Sequence, residues 1–346
     1  MYSSDTSNYR EFLIEFPNQI ANSKTIFSKA AIKIDKKKIK NILYIGMGGS
    51  AIAGDLIFDC FYDELRIPFH IIRGYHIPAF CSESSLVIVS SYSGNTEETL
   101  SALEEVHSRG SQVCAISSGG NLLRLAKEKK WSHIIIPGGF PPRQAFGYSF
   151  FPLLYLLRSL KLINTSDAEI ESIIQLAKSI IERNDTHKYT TKVLMQDLAT
   201  KIDKKIPVIY ATAPHFTAIA TRWKNQFQEN SKSLAFANVI PEMNHNEIVG
   251  WEMNINNICN LIVIFLESQL INPRIALRVK LTKQIIRDKG IELIEIYPEG
   301  DTLLEQTISL IAKGDWASYY LALMNNKDPL SILNIDFLKA EMKKNS

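Results

Sequence analysis

Two short turns in the sequence combine residue types that could do chemistry. The first is Ser90-Ser91-Tyr92-Ser93-Gly94-Asn95-Thr96, set between an apolar run and a helix-like stretch that opens with Glu97-Glu98. Its hydroxyls have an ordinary reading as turn formers and caps, with Thr96 or Asn95 at the N-cap and the two carboxylates where the helix dipole favours them. Several hydroxyls, backbone N–H groups, a glycine and a helix N-terminus in one place also make an anion site that needs no lysine. A phosphomonoester dianion suits such neutral donors, because none of them has to be desolvated as a charge.

The second turn is Gly46-Met47-Gly48-Gly49-Ser50-Ala51, and three readings of it stay open. It fits the dinucleotide fingerprint G-x-G-x-x-G/A, but that reading needs an acidic residue at the end of the next strand for the ribose hydroxyls. Phe69–Ile72 ends instead in Arg73-Gly74, which at best suits a 2′-phosphate. The glycines could simply allow a helix and a strand to pack closely. Or a ligand passes the bare backbone of Gly48 and Gly49, with Ser50 as a donor.

The elements around these turns are those of an α/β protein. Ile42–Ile45, Phe69–Ile72, Leu86–Val89, Val113–Ile116 and His133–Ile136 are continuous apolar runs, the pattern of parallel strands covered on both faces. Helix-like stretches Ala51–Cys60, Thr96–Arg109 and Leu122–Lys129 alternate with them, which predicts a doubly wound sheet. Long helical stretches follow at Tyr148–Leu162 and Asp167–Asn184. A second series then runs through strand Pro207–Ala211, helix Phe216–Ser231, strands Leu234–Ala237 and Cys259–Leu266, helix Pro273–Asp288 and strand Ile291–Ile296. Helices over Leu303–Asn325 and Asp328–Lys343 close the chain. The expected fold class is α/β with two doubly wound parallel-sheet domains and terminal helices. The expected divisions are 1–40 (helical, broken or restarted at Pro17), 41–165, 166–325 and 326–346.

Length and composition agree with two soluble domains: 346 residues, 46% hydrophobic and 22% charged. The net charge of +3, from 39 basic and 36 acidic residues, gives no electrostatic footprint for nucleic acid. The densest basic run, Lys33 to Lys40, reads as a solvated face, with polyanion binding the lesser alternative. Cys60, Cys81, Cys114 and Cys259 are far apart, which speaks against zinc, redox or disulfide pairing and for buried thiols. No secretory signal and no membrane-length apolar run is visible, so the expectation is a cytoplasmic protein without membrane partners.

In order along the chain, Tyr44-Ile-Gly-Met-Gly-Gly-Ser50, Ser91-Tyr-Ser-Gly-Asn-Thr-Glu-Glu-Thr99 and Pro141-Pro-Arg143-Gln-Ala-Phe-Gly-Tyr148 resemble the bifunctional phosphoglucose/phosphomannose isomerases. Further matching stretches are Asn225-Gln-Phe-Gln-Glu229-Asn-Ser-Lys232, Pro241-Glu-Met-Asn-His245-Asn-Glu247 and Asp328-Pro329 followed by Ile335-Asp-Phe-Leu-Lys339. The resemblance implies two flavodoxin-like sugar-isomerase (SIS) domains and a phosphorylated hexose as substrate. It implies that Ser91, Ser93 and Thr96 bind the phosphate and that Gly48, Gly49 and Ser50 line the sugar. Arg143 would face the reacting end, Glu229 would be the base, His245 would open the ring and Lys339 would assist. It also implies a homodimer in which His245 is lent across the interface, with the 326–346 helix completing the site.

Aldose–ketose isomerisation moves a proton between C2 and C1 through a cis-enediol, after the hexose ring has opened. A histidine suits ring opening because its pKa lies near neutrality, and a carboxylate can shuttle the carbon-bound proton. A guanidinium can stabilise the enediolate, and neither metal nor redox cofactor is required. Each residue also has an ordinary reading: Glu229 as a solvated helix carboxylate, His245 as a surface residue, Arg143 as a loop charge, Lys339 as a helix-end cation. His245 and Glu247 alone are poor evidence for a metal. The second unit reads Ala211-Thr-Ala-Pro-His215 after its first strand, so one phosphate site per chain is expected. Leu330-Ser331 stand where many family members carry Thr-Pro, so the glucose activity is implied more directly than the mannose one. The rival functions are a non-catalytic sugar-phosphate sensor and an SIS isomerase for another phosphosugar.

Overall fold

The computed structural model describes residues 4–185, 194–252 and 260–344. The chain opens with helices α1 (Tyr9–Ile14) and α2 (Phe16–Ser28), and Pro17 sits in the first turn of α2, where its missing N–H costs nothing. The first sheet follows as β1 (Asn41–Ile45), α3 (Gly48–Cys60), β2 (Phe69–Ile72), β3 (Ser85–Ser90), α4 (Glu97–Ser108), β4 (Gln112–Ser117), α5 (Gly120–Glu128) and β5 (Ser132–Ile135). All its strands are parallel, in the order β2-β1-β3-β4-β5. Helices α6 (Phe146–Ser159), α7 (Asp167–Asn184) and α8 (Leu194–Ile202) lead to the second sheet.

That sheet contains β6 (Ile206–Thr212), β7 (Phe236–Ile240), β8 (Leu261–Leu266) and β9 (Leu293–Ile296), again parallel, in the order β7-β6-β8-β9. Helices α9 (Thr217–Ser231) and α10 (Pro273–Asp288) are its crossovers, and α11 (Leu303–Met324) and α12 (Leu333–Lys344) end the chain. The expected strand over Leu234–Ala237 lies instead at Phe236–Ile240. The expected last helix starts at Leu333 rather than Asp328, because the Asp328 carboxylate accepts the Leu330 N–H and holds a turn there.

The period of two along the strands builds three apolar cores, one between the two sheets and one on the outer face of each. Ile42, Leu86 and Ile88 of the first sheet and Ile209, Ile262 and Ile264 of the second share one core with α6 and α11. Their neighbours Leu43, Val87 and Val89 turn outward under α4 and α5, and Val208, Val263 and Phe265 under α10. Both faces of the central strands β1, β3, β4, β6 and β8 are therefore dry, which is why they read as unbroken apolar runs. Helix α11, capped by a reciprocal Thr302–Glu305 box, is buried on nearly every side. Among the described residues no helix is long and apolar enough to cross a membrane. Cys60, Cys81 and Cys114 are buried free thiols, and burial pushes Cys60 and Cys114 up to about 12. Cys259 lies outside the described residues.

Candidate active site

In a 2-1-3-4-5 sheet the connections leave β1 and β3 toward opposite faces, and the crevice between their C-terminal ends is where such sheets bind ligands. The glycine turn follows β1 and the hydroxyl turn follows β3, so both border this crevice. The Tyr92 N–H donates to the Ser50 hydroxyl at 3.1 Å, which joins the two turns directly. Ser91 is buried, and its hydroxyl lies 2.9 Å from that of Thr96. Thr96 occupies the N-cap of α4, yet its side chain bonds no helix amide, so the first turn has no side-chain cap. Ser93 is exposed and accepts the Asn95 N–H at 3.3 Å. Gly94 has φ +70°, and a Cβ there would stand 1.9 Å from the Gly119 carbonyl oxygen, so only glycine lets this turn close on the loop before α5.

The opposite wall comes from α9 and the turn Pro142–Gln144. The backbone of α3 touches that turn at Gly49, where a Cβ would meet Pro142 O at 3.0 Å and Arg143 N at 3.1 Å. Gly48, Gly49, Ile52, Arg143, Arg222, Asn225, Gln226 and Glu229 line one small cleft there. Arg143 is only 4% exposed. Its Nε donates to Asn230 Oδ1 at 2.7 Å, one Nη donates to Pro329 O at 2.6 Å, and the other lies 3.5 Å from the Glu229 carboxylate. The Glu229 side chain keeps 30% exposure, so its carboxylate faces both the guanidinium and the opening.

Buried polar groups set this geometry from behind. The Tyr9 hydroxyl donates to Asn230 Oδ1 at 2.8 Å and accepts from Gln144 Nε2 at 2.8 Å, and the Arg143 guanidinium lies 5.5 Å from the Tyr9 ring centre. Burial pushes Tyr9 up to about 12, so it stays a neutral hydrogen-bonding group near neutral pH. Arg222 grips Asp315 through two contacts of 2.9 and 2.8 Å, and Gln226 adds a third at 2.6 Å. Burial raises the Asp315 carboxyl against the opposing pull of Arg222. A buried guanidinium beside a partly exposed carboxylate can polarise an oxygen while the carboxylate takes a proton.

A larger cleft of about 560 Å³ continues from Gly48 and Asn225 along α3 and α9 as far as Asp59 and Thr217. Asp59 Oδ2 accepts the Ala218 N–H at 2.6 Å and so caps α9 from α3. Burial pushes its carboxyl up to about 7. Arg73, which the dinucleotide reading needs for a 2′-phosphate, lines this cleft paired with Asp55.

Within one chain, then, Gly48, Gly49, Arg143 and Glu229 share a cleft, and Ser50, which follows Gly49, accepts the Tyr92 N–H of the turn that carries Ser91, Ser93 and Thr96. His245 is not brought there: it ends an exposed turn after β7 and lines neither cleft. Lys339 projects from α12, none of whose residues is buried. The Glu247 carboxylate accepts from Tyr210 and Asn238, and among the described residues no three candidate ligands cluster for a metal. Arg222, Asn225 and Gln226 were not assigned from sequence. Their spacing with Glu229, i, i+3, i+4 and i+7, is a polar stripe on a helix whose other face holds Trp223 and Phe227, and that was the available signal.

Residues 36–130 match the SIS domain family, and residues 191–342 match the family described as the bacterial phospho-glucose isomerase C-terminal SIS domain. A bifunctional phosphoglucose/phosphomannose isomerase of Caldicellulosiruptor bescii is 37% identical over 96% of this chain and 98% of its own length. Another from Aquifex aeolicus is 35% identical over 90% of this chain and 93% of its own. Among solved structures, hypothetical protein TT0462 of Thermus thermophilus shares the fold at a TM-score of 0.73, with 12% identity, 98% of this chain and 91% of that one covered. With the two turns, the Arg143–Glu229 cleft and this similarity along nearly the whole chain, the protein belongs to the bifunctional phosphoglucose/phosphomannose isomerase family.

Proposed function

We propose that this chain is an aldose–ketose isomerase that interconverts glucose 6-phosphate and mannose 6-phosphate with fructose 6-phosphate. The observation that carries the reading is the Glu229 carboxylate 3.5 Å from a buried Arg143 in a cleft floored by Gly48 and Gly49. In this reading Ser91, Ser93 and Thr96, with the uncapped first turn of α4, hold the phosphate dianion through neutral donors. Gly48, Gly49 and Ser50 let the sugar lie against the backbone. Glu229 carries the proton between C2 and C1, and Arg143 stabilises the enediolate. No step calls for a metal or a redox cofactor.

Ring opening falls to His245 and Lys339, and neither reaches the cleft of its own chain. The reading therefore includes a homodimer in which a partner copy lends His245. Unpartnered apolar surface supports it: Leu333, Phe337 and Leu338 of α12 are 76%, 68% and 59% exposed, and Leu277, Leu281 and Ile285 form an exposed stripe along α10. Residues 41–165 and 166–325 act as the two SIS units, 1–40 as a supporting helical segment and 326–346 as the piece that completes the site. Charged hexose phosphates place the activity in the cytoplasm. The test is Glu229→Gln in a coupled assay over a panel of hexose, pentose and amino-sugar phosphates, with and without EDTA. Turnover falls roughly 10²–10⁴-fold while sugar-phosphate binding persists. Normal turnover in that variant removes Glu229 as the base.

A further inference from the structure

The helix that carries Glu229 stops two residues later at Ser231, and the residue that ends it is Lys232, with left-handed backbone angles of 54° and 36°. Lys130, Lys161 and Lys204 share that positive φ, so the conformation by itself says nothing. What distinguishes Lys232 is where its ammonium lies. Nζ stands 2.8 Å from Glu229 O and 3.1 Å from Asn230 O, at the C-terminal end of α9. It also stands 2.8 Å from Asp328 O and 3.2 Å from Pro329 O, in the segment that joins α11 to α12. The same Pro329 carbonyl accepts from Arg143 at 2.6 Å. One cation thus touches the backbone carbonyls of Glu229 and of Asn230, the residue whose side-chain Oδ1 accepts from Arg143, and the strap that holds Arg143 from the other side.

We propose that Lys232 is a positioning residue for the isomerase: its ammonium pins the 328–330 strap to the end of α9 and so sets the Arg143–Glu229 separation. This rests on the isomerase reading of that cleft. An ammonium has three protons for four carbonyls, so at least one bond is shared, and all four oxygens gain from a full positive charge at the negative end of a helix dipole. The other charged groups near it are Arg143, Asp328, Glu229 and Lys327. Asp328 is itself engaged, accepting from the Thr6 and Ser7 hydroxyls and from the Leu330 N–H, so the strap is anchored on one side by its carboxylate and on the other by Lys232. Loss of water around the ammonium, with Arg143 close by, pushes Lys232 down to about 8. It is charged at neutral pH and loses that charge in mildly alkaline solution.

Lys232→Met and Lys232→Arg, made in the full-length protein, test this. Lys232→Met speeds hydrogen exchange of the Leu330 amide and its neighbours by about tenfold or more, as expected for a strap released from its tether. It lowers kcat roughly 10–100-fold and changes KM by less than about threefold, because misplaced acid–base groups cost turnover more than binding. Lys232→Arg restores slow exchange and most of kcat. Wild-type kcat declines above about pH 8, whereas Lys232→Arg, whose guanidinium keeps its charge, holds kcat to higher pH. Wild-type exchange over 328–332 together with wild-type kcat in Lys232→Met overturns the proposal, as does an unchanged alkaline limb in Lys232→Arg. A wild-type protein inactive on every sugar phosphate would defeat the isomerase reading instead, and the exchange measurement would still decide the tether.

Discussion

Arg143 is held by acceptors from two distant parts of the chain, Asn230 and Pro329, with the Glu229 carboxylate beside it in the cleft. Only a planar fork can donate in those directions at once, so a lysine, with one point charge on a flexible stem, cannot reproduce it. Arg143→Lys is expected to lower kcat roughly 10²–10³-fold, the usual cost of a misplaced oxyanion donor. The change should also leave Asn230 Oδ1 short of one donor and reduce stability by about 1–3 kcal/mol. Steady-state kinetics with a denaturation curve check both, and a kcat near wild type would show that Arg143 supports the fold rather than the reaction. Tyr9, which shares Asn230 Oδ1 with Arg143, comes from the first helix of the chain. Nothing local in the sequence marks it, since its function depends on a partner 221 residues away.

The site is a relation between elements, chiefly α3 and α9, which run side by side along the larger cleft. Asp59 ties them by capping α9 from α3, and its pKa makes the tie pH-sensitive. In the folded protein its carboxyl keeps a proton up to about pH 7, against 3.8 as the ordinary value. Between those values the native state binds more protons than the unfolded chain, so this group lowers stability as pH rises, by up to ~1.4 kcal/mol per pH unit. The loss is complete above about pH 7. Asp59→Asn keeps an oxygen for the Ala218 N–H and cannot titrate, so its stability should gain on wild type between mildly acidic and neutral pH and run parallel above. Urea midpoints across that range measure it, and equal slopes for the two proteins would contradict the assignment.

On the scale of the whole molecule, the exposed apolar residues of α10 and α12 and the absence of His245 from the lining of its own cleft bear on the proposed homodimer. If the partner lends His245, a Glu229→Gln chain and a His245→Ala chain, each inactive alone, must complement each other. Random mixing makes half the dimers mixed, each with one intact site, so about a quarter of wild-type activity should return. Light scattering should show a dimer in the same samples. Mixtures as inactive as their components would place ring opening within a single chain.

Much of this was legible in the residues. The central strands stood out because both their faces are buried, which leaves uninterrupted apolar runs such as Ile42–Ile45 and Leu86–Val89. The turns at 46–51 and 90–96 stood out because positive φ and close backbone approach demand glycine locally, and anion-binding turns use local hydroxyls and amides. Helix α8, nine residues long, was not read as an element, and the start of α12 was placed five residues early because the Asp328 turn is held by side chains near the N-terminus. What only tertiary structure decided is convergence: Tyr9, Arg143, Glu229 with Asn230 and Lys232, and Asp328 with Pro329 lie in four separate stretches of sequence. Local patterns of burial and backbone conformation are written in neighbouring residues. A contact between distant ones exists only once the sheets and helices between them have packed.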